Sequence, residues 1–343
     1  ASAIGRLPRP LMSLLMGGAV TEVDGLVLDS RLRFILRLSA MAGTPDFGEL
    51  PVSEMRAYLE ALGGALGGKR RWMEKVEERR LPSPGGEIPV RIYSPRGSGA
   101  PLPVLVYYHG GGWVLGSLDT VDLPCRRFAR EADCIVVSVD YRLAPEHVFP
   151  AAVDDALAAF TWTVANAVAL GGDPMRVAVG GDSAGGNLAA VVSILARDAG
   201  GPRPAAQMLV YPVTDLSCES RSYQLFADGF QLTRQGMRWF KDCYLDDPAS
   251  ACDPRVSPLL APDLSDLPPA LVLAAGFDPL RDEGRAYARR LEEAGVTVDY
   301  RCFDSLVHGF INMDGVIEAA DEAMVAASAA LAAGFGSLEG ASP

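Results

Sequence analysis

The stretch Val177-Ala178-Val179-Gly180-Gly181-Asp182-Ser183-Ala184-Gly185-Gly186-Asn187-Leu188 decides the fold. Its apolar opening, introduced by Asp173-Pro174, reads as a short buried strand. Its continuation to Arg197 sets Leu188, Val191, Val192 and Leu195 on one helical stripe. Between the two stands a serine flanked by small residues. A strand that turns sharply into a helix crowds its two arms together and strains the residue at the apex, so only Gly or Ala fits beside it. The bare G-x-S-x-G pattern occurs by chance in many chains. Set between strand and helix, it marks an exposed nucleophilic serine rather than a serine-rich turn.

A serine hydroxyl is a weak nucleophile and needs a base, usually an imidazole. The chain has three histidines, His109, His147 and His308. On a sheet built around such an elbow the order along the chain is serine, acid, histidine. Only His308 follows Ser183, in the loop Asp304 to Phe310 after the strand-like run Val296 to Phe303. The acid must lie between them. The apolar run Ala270 to Ala275 reads as a buried parallel strand. It closes at Gly276-Phe277-Asp278-Pro279, a turn at the strand's carboxyl end, where open α/β sheets place their sites. Asp278 is therefore the first choice, ahead of Asp282, which is expected to cap or begin the helix running to Ala294.

A fourth element, His109-Gly110-Gly111-Gly112-Trp113, follows the strand Val104 to Tyr108. Three consecutive glycines suit a loop whose backbone N–H groups must point freely into a site. An oxyanion hole needs two or three such donors, and losing one costs roughly 3 kcal/mol. The expected donors are the amides of Gly111, Gly112 and Ala184, with His109 holding the loop's shape by hydrogen bonding. Trp113, Phe230, Phe240 and Phe310 are the candidates for the substrate pocket. Core packing is the other reading of Phe230 and Phe240.

Read for organisation, the chain opens with about 68 residues of helical pattern. The helix after Ser53 carries Met55, Leu59, Leu62 and Leu66 on one face, and Gly63-Gly64 and Gly67-Gly68 offer a hinge. Two alternating strands, Trp72 to Arg80 and Ile88 to Tyr93, are joined by Pro82-Ser83-Pro84-Gly85-Gly86, a hairpin signal. Further strands begin at Val104, Ile135, Val177, Gln207, Ala270 and Thr297, with helical patterns between them. That alternation means an α/β fold with a mostly parallel eight-stranded sheet. The expected layout is a catalytic core of 69–214 and 257–335, a helical cap of 1–68 and 215–256, and a disordered tail from Gly336 to Pro343. Arg6 and Arg9 before Leu11 to Val20 mimic a weak signal peptide, but Pro8 and Pro10 favour a cap segment.

Composition narrows the partners. With 343 residues, 49% of them hydrophobic, the chain can bury one large core. A net charge of −12 argues against nucleic acid or an anionic membrane. Six cysteines without C-x-x-C spacing suggest reduced, mostly buried thiols in the cytoplasm. No apolar run approaches a membrane span. No G-x-G-x-x-G or Walker lysine accompanies the glycines, and three isolated histidines supply no metal-ligand pair, so neither cofactor nor metal is expected. The alternation of Val296 to Phe303, without Pro or Lys, suits an edge strand able to pair with a second copy in a homodimer.

Taken together, His109-Gly110-Gly111-Gly112-Trp113, Asp140-Tyr141-Arg142-Leu143-Ala144-Pro145-Glu146, Gly181-Asp182-Ser183-Ala184-Gly185-Gly186-Asn187, Asp278-Pro279-Leu280-Arg281-Asp282 and His308-Gly309-Phe310 resemble the hormone-sensitive-lipase-like serine esterases in kind and order. The match covers about residues 70 to 335. The resemblance implies the α/β-hydrolase fold and hydrolysis of carboxylic esters, usually of short acyl chains, under a helical cap. An amidase or acyltransferase would carry the same triad. A non-catalytic small-ligand receptor on this fold is disfavoured, because Ser183, Asp278 and His308 are all retained.

Overall fold

The computed structural model describes residues 20–339 apart from 63 and 96–98, with the backbone alone from 336 to 339. Leu11 to Ala19 of the expected cap segment, and Gly63 of the expected hinge, lie outside the described residues. The described chain begins not with a helix but with a small hairpin, β1 (Glu22–Val23) and β2 (Leu26–Val27). Its turn is Asp24-Gly25, both at positive φ, a pair that suits a two-residue hairpin. Two helices follow, α1 (Ser30–Met41) and α2 (Val52–Leu62). The Asp29 carboxylate caps α1 by accepting from the amides of Arg31 and Leu32.

The main sheet comprises β3 (Lys75–Ser83), β4 (Gly86–Ser94), β5 (Leu102–Tyr108), β6 (Ile135–Val139), β7 (Gly172–Asp182), β8 (Gln207–Val210), β9 (Ala270–Phe277) and β10 (Val298–Val307). Its order is β10-β9-β8-β7-β5-β6-β4-β3, giving the eight strands expected. The strands from β6 across to β10 are parallel, while β4 runs antiparallel to β3 and β6. β5, β6 and β9 are buried along their whole length, as the unbroken apolar runs require.

The pleat divides the core in two. Val104, Val106 and Tyr108 of β5 join the cluster under α4 (Ala151–Asn166), α5 (Ala184–Asp198) and α8 (Arg281–Glu293). Leu105 and Tyr107 join the opposite cluster, under α3 (Asp122–Glu131) and α9 (Glu318–Glu339). The long connection between β8 and β9 holds the short α6 (Arg221–Leu225) and the amphipathic α7 (Arg234–Tyr244), whose Thr233 cap accepts the Gly236 amide. β7, in the middle of the sheet, delivers Ser183 to its carboxyl edge.

Three details differ from the sequence reading. β10 continues through Asp304 to Val307, with a register irregularity against β9 after Phe303, so His308 directly follows a strand. Helix α9 runs through Gly336 to Glu339, with no proline to stop it, and of that tail only 340–343 lie outside the described residues. Among the cysteines only Cys125 and Cys134 are buried, whereas Cys218 and Cys252, both on the β8–β9 connection, are exposed. Among the described residues, no helix is long and apolar enough to cross a membrane.

Candidate active site

Ser183 stands at the junction of β7 and α5 with φ 55° and ψ −118°, a strained backbone for a residue with a side chain. Its amide donates to the Val210 carbonyl at 2.9 Å, which ties the elbow to the end of β8. The small neighbours have a steric reason, since a Cβ on Gly185 would overlap the Tyr108 carbonyl. The serine is 7% exposed, enough to be reached but dry enough to strengthen electrostatic contacts.

His308 brings Nε2 to 2.9 Å from Ser183 Oγ and Nδ1 to 2.7 Å from Asp278 Oδ2. A carboxylate only accepts, so Nδ1 carries the proton and Nε2 offers its lone pair to the serine hydroxyl. Asp278 is fully buried at the end of β9. Its second oxygen accepts the Leu280 amide at 2.8 Å, which fixes the carboxylate plane. The Tyr211 ring supports the imidazole, with centroids 4.3 Å apart. Asp282 points elsewhere, accepting the Ser222 amide of α6 at 3.0 Å.

The glycine loop lies beside the serine. Gly112 has φ 60°, and a Cβ there would overlap the Phe240 ring, so only glycine lets α7 press on this loop. Among the described residues, no acceptor takes the amides of Gly111, Gly112 or Ala184. His109 is buried and stacked on Tyr141, with centroids 4.3 Å apart, and its Nδ1 meets the Gly110 carbonyl at 2.7 Å. Burial pushes the His109 pKa down, which favours the neutral ring. Tyr141 also donates its hydroxyl to the His109 carbonyl at 2.7 Å.

The pocket aromatics divide. Trp113 is fully buried, stacked on Tyr244 at 4.2 Å, and Phe310 is buried against Tyr211 and Phe303. Phe240 is nearly buried, between Phe47 and the glycine loop. Phe230 alone keeps appreciable surface, packing on Phe277 beside Asp278 and lining a cavity of about 410 Å³ with Leu28, Arg33 and Leu36. Sequence reasoning missed Arg56 of α2, which donates to the Val114 carbonyl at 2.8 Å and the Ala144 carbonyl at 2.9 Å. It also missed the part played by Asp182, whose carboxylate accepts from Tyr107 and from Gly110. A charged residue among the small residues of the elbow was the available signal.

Fold and site define a serine hydrolase with its triad at the carboxyl edge of a parallel sheet. A family model described as the alpha/beta hydrolase fold matches residues 105–312. The carboxylic ester hydrolase LipN of Mycobacterium tuberculosis is 49% identical over 314 residues, 90% of this chain and 83% of that protein. An ethyl acetate hydrolase of Pseudomonas putida is 43% identical over 80% of this chain and 88% of its own. The structure of an ester hydrolase from the Lake Arreo metagenome, in complex with a bipyridine phosphonate derivative, superposes with a TM-score of 0.87 at 45% identity, covering 90% of this chain and 99% of that one. The chain belongs to the α/β-hydrolase family, among its hormone-sensitive-lipase-like carboxylesterases.

Proposed function

We propose that this chain hydrolyses short- to medium-chain carboxylic esters, with Ser183, His308 and Asp278 as its triad. The observation that carries the reading is the unbroken hydrogen-bonded line from Asp278 through His308 to Ser183. His308 Nε2 takes the hydroxyl proton as Oγ attacks the ester carbonyl carbon, and Asp278 supports the imidazolium. The carbonyl π pair moves to oxygen, which the amides of Gly111, Gly112 and Ala184 would receive; their freedom from protein acceptors supports that assignment. Collapse expels the alcohol, protonated by His308, and leaves an acyl-serine. Water then attacks, giving its proton to His308, and the acid departs as Oγ recovers that proton.

Residues 1–68 and 215–256 are read as a cap over a core of 69–214 and 257–335. Support comes from Phe47 against Phe240 and from Phe240 against Gly112. A roof packed this closely favours acyl chains of roughly two to eight carbons, because each buried CH₂ contributes ~0.8 kcal/mol only until the pocket is full. The ethyl acetate hydrolase among the relatives points the same way. A cytoplasmic setting is supported by six unpaired thiols. The net charge of −12 supports a small-molecule partner rather than nucleic acid.

Ser183→Ala is expected to lower turnover by roughly 10⁵ to 10⁶ without unfolding the protein. The assay is a panel of p-nitrophenyl acyl esters, lactones and anilides, with phosphonate labelling of the wild type located by mass spectrometry. Substantial ester hydrolysis by the purified variant would remove Ser183 from the mechanism. A rate still climbing at palmitoyl esters would remove the short-chain reading, and anilides preferred to esters would make the enzyme an amidase.

A further inference from the structure

Asp182 is a carboxylate left buried, among the described residues, with no Lys or Arg to balance it. It closes β7, is 6% exposed, and pairs with no Lys or Arg among the described residues. Burial pushes its pKa up. Removing a charge from water without an ion pair is costly, and an asparagine would fill the same space for less. Its Oδ1 accepts two hydrogen bonds, from the Tyr107 hydroxyl at 2.8 Å and from the Gly110 amide at 3.0 Å. Both donors come from β5 and the loop it leads into, although Asp182 adjoins the nucleophile on β7. The parallel register explains the meeting: Tyr108 sits opposite Gly181, so the residues just beyond each strand end face one another.

The same glycine is held from its other side. Gly110's carbonyl lies 2.7 Å from His109 Nδ1, and a carbonyl only accepts, so that ring nitrogen carries the proton. Among the described residues His109 Nε2 is buried without a partner, so there the ring makes this one hydrogen bond and is kept in place by Tyr141. The carbonyl of Gly110 and the N–H of Gly111 belong to one planar trans peptide, and in such a plane they point in opposite directions. Fixing the carbonyl therefore fixes the direction of the amide. Asp182 secures the preceding peptide through the Gly110 N–H, so the loop cannot turn about Gly110.

We propose that Asp182 is a positioning residue of the oxyanion hole: with His109 it clamps both peptide groups of Gly110 and so aims the Gly111 N–H at the oxyanion. The proposal rests on the reading of Gly111 as an oxyanion donor. It also gives the buried carboxylate a use, since one of its oxygens holds both the Tyr107 hydroxyl of β5 and the Gly110 amide of the loop. The clamp links nucleophile and oxyanion donor directly, and any shift of the elbow is passed to the loop by one carboxylate.

The test compares Asp182→Ala, Asp182→Asn and Tyr107→Phe with the wild type, each normalised to serines titrated by a phosphonate. For Asp182→Ala, kcat on p-nitrophenyl butyrate is expected to fall about 10²-fold, the loss seen when one oxyanion donor fails. KM should stay within about threefold, because the ground-state ester does not use the hole fully. Affinity for a trifluoromethyl ketone, which forms the tetrahedral adduct, should fall in parallel with kcat. Asp182→Asn keeps an acceptor and should recover most of the loss, and Tyr107→Phe should cost a few-fold in kcat alone. If the Ala variant does not fold, Tyr107→Phe decides, because Asp182→Asn is expected close to the wild type. The proposal is overturned if the folded variants keep wild-type kcat and ketone affinity, or if only KM moves. Turnover retained in Ser183→Ala would instead overturn the reading of the whole site.

Discussion

Asp278 and Asp282 lie one helical turn apart on the same segment, and their surroundings give them different tasks. Asp278 is sealed from solvent and spends its oxygens on His308 and the Leu280 amide. Asp282 holds Arg281 and the first turn of α6. Asp278→Asn is therefore expected to cut turnover about 10⁴-fold, because the imidazole loses the partner that sets its tautomer. Asp282→Asn should keep at least about a tenth of the activity, in line with a capping contact of ~1 kcal/mol. Steady-state kinetics on one ester decide between them, and the reverse ranking would move the acid to Asp282. The meeting of Ser183, His308 and Asp278 was legible in the sequence because chain order, three histidines and one turn after a buried strand leave few choices. The work of Asp182, Tyr141 and Arg56 was not. It depends on contacts across 75, 32 and 58 positions of chain, which spacing along a single sequence does not encode.

Elements were legible in proportion to their periodicity. The buried strands and the helices on both faces of the sheet follow from apolar runs and stripes. The opening hairpin did not, since its strands are two residues each and only Asp24-Gly25 signals the turn. That hairpin is held by tertiary contacts: Asp24 accepts from Arg221 of α6 and Arg281 of α8. The β8–β9 connection has a comparable anchor in Glu283 of α8, whose Oε1 accepts the Thr214 amide at 2.7 Å. Burial drives the Glu283 pKa well up, while its Oε2 has no partner among the described residues. A folded pKa above the unfolded one means stability that is full below the unfolded value and is lost as pH rises through the folded value. Each unit of such a shift is worth about 1.4 kcal/mol once pH exceeds both values. Glu283→Gln keeps the amide contacts and removes the titration. Its urea midpoint relative to wild type should therefore rise between pH 5 and pH 8. An offset that is the same at both pH values would show that the charge on Glu283 does not matter.

At the scale of the molecule, the open question is what meets the edge of the sheet. β10 is the terminal strand of the order, so among the described residues one side of its backbone has no neighbour in the sheet. Asp29 of the N-terminal segment donates its amide to Ser305, which occupies the far end of the strand; among the described residues, 298–303 is the open stretch. Along it, Val298 to Phe303 are all half-buried, and Asp299 already pairs with Arg301 two residues on. Two copies meeting antiparallel about a two-fold axis at Tyr300 would set each Asp299 opposite the other's Arg301. The two local ion pairs would then merge into one alternating square of charge, and the sheets would join edge to edge. A homodimer is the expected solution state, with twice the chain mass of 36.3 kDa by light scattering at micromolar concentration. Arg301→Glu replaces the square with four acids around the axis, and like charges directly opposed destabilise a strand pair. That variant should run as a monomer while retaining its fold and its turnover per titrated serine. A wild-type mass that stays monomeric at high protein concentration would rule this contact out, and an Arg301→Glu dimer would place the interface elsewhere on the surface.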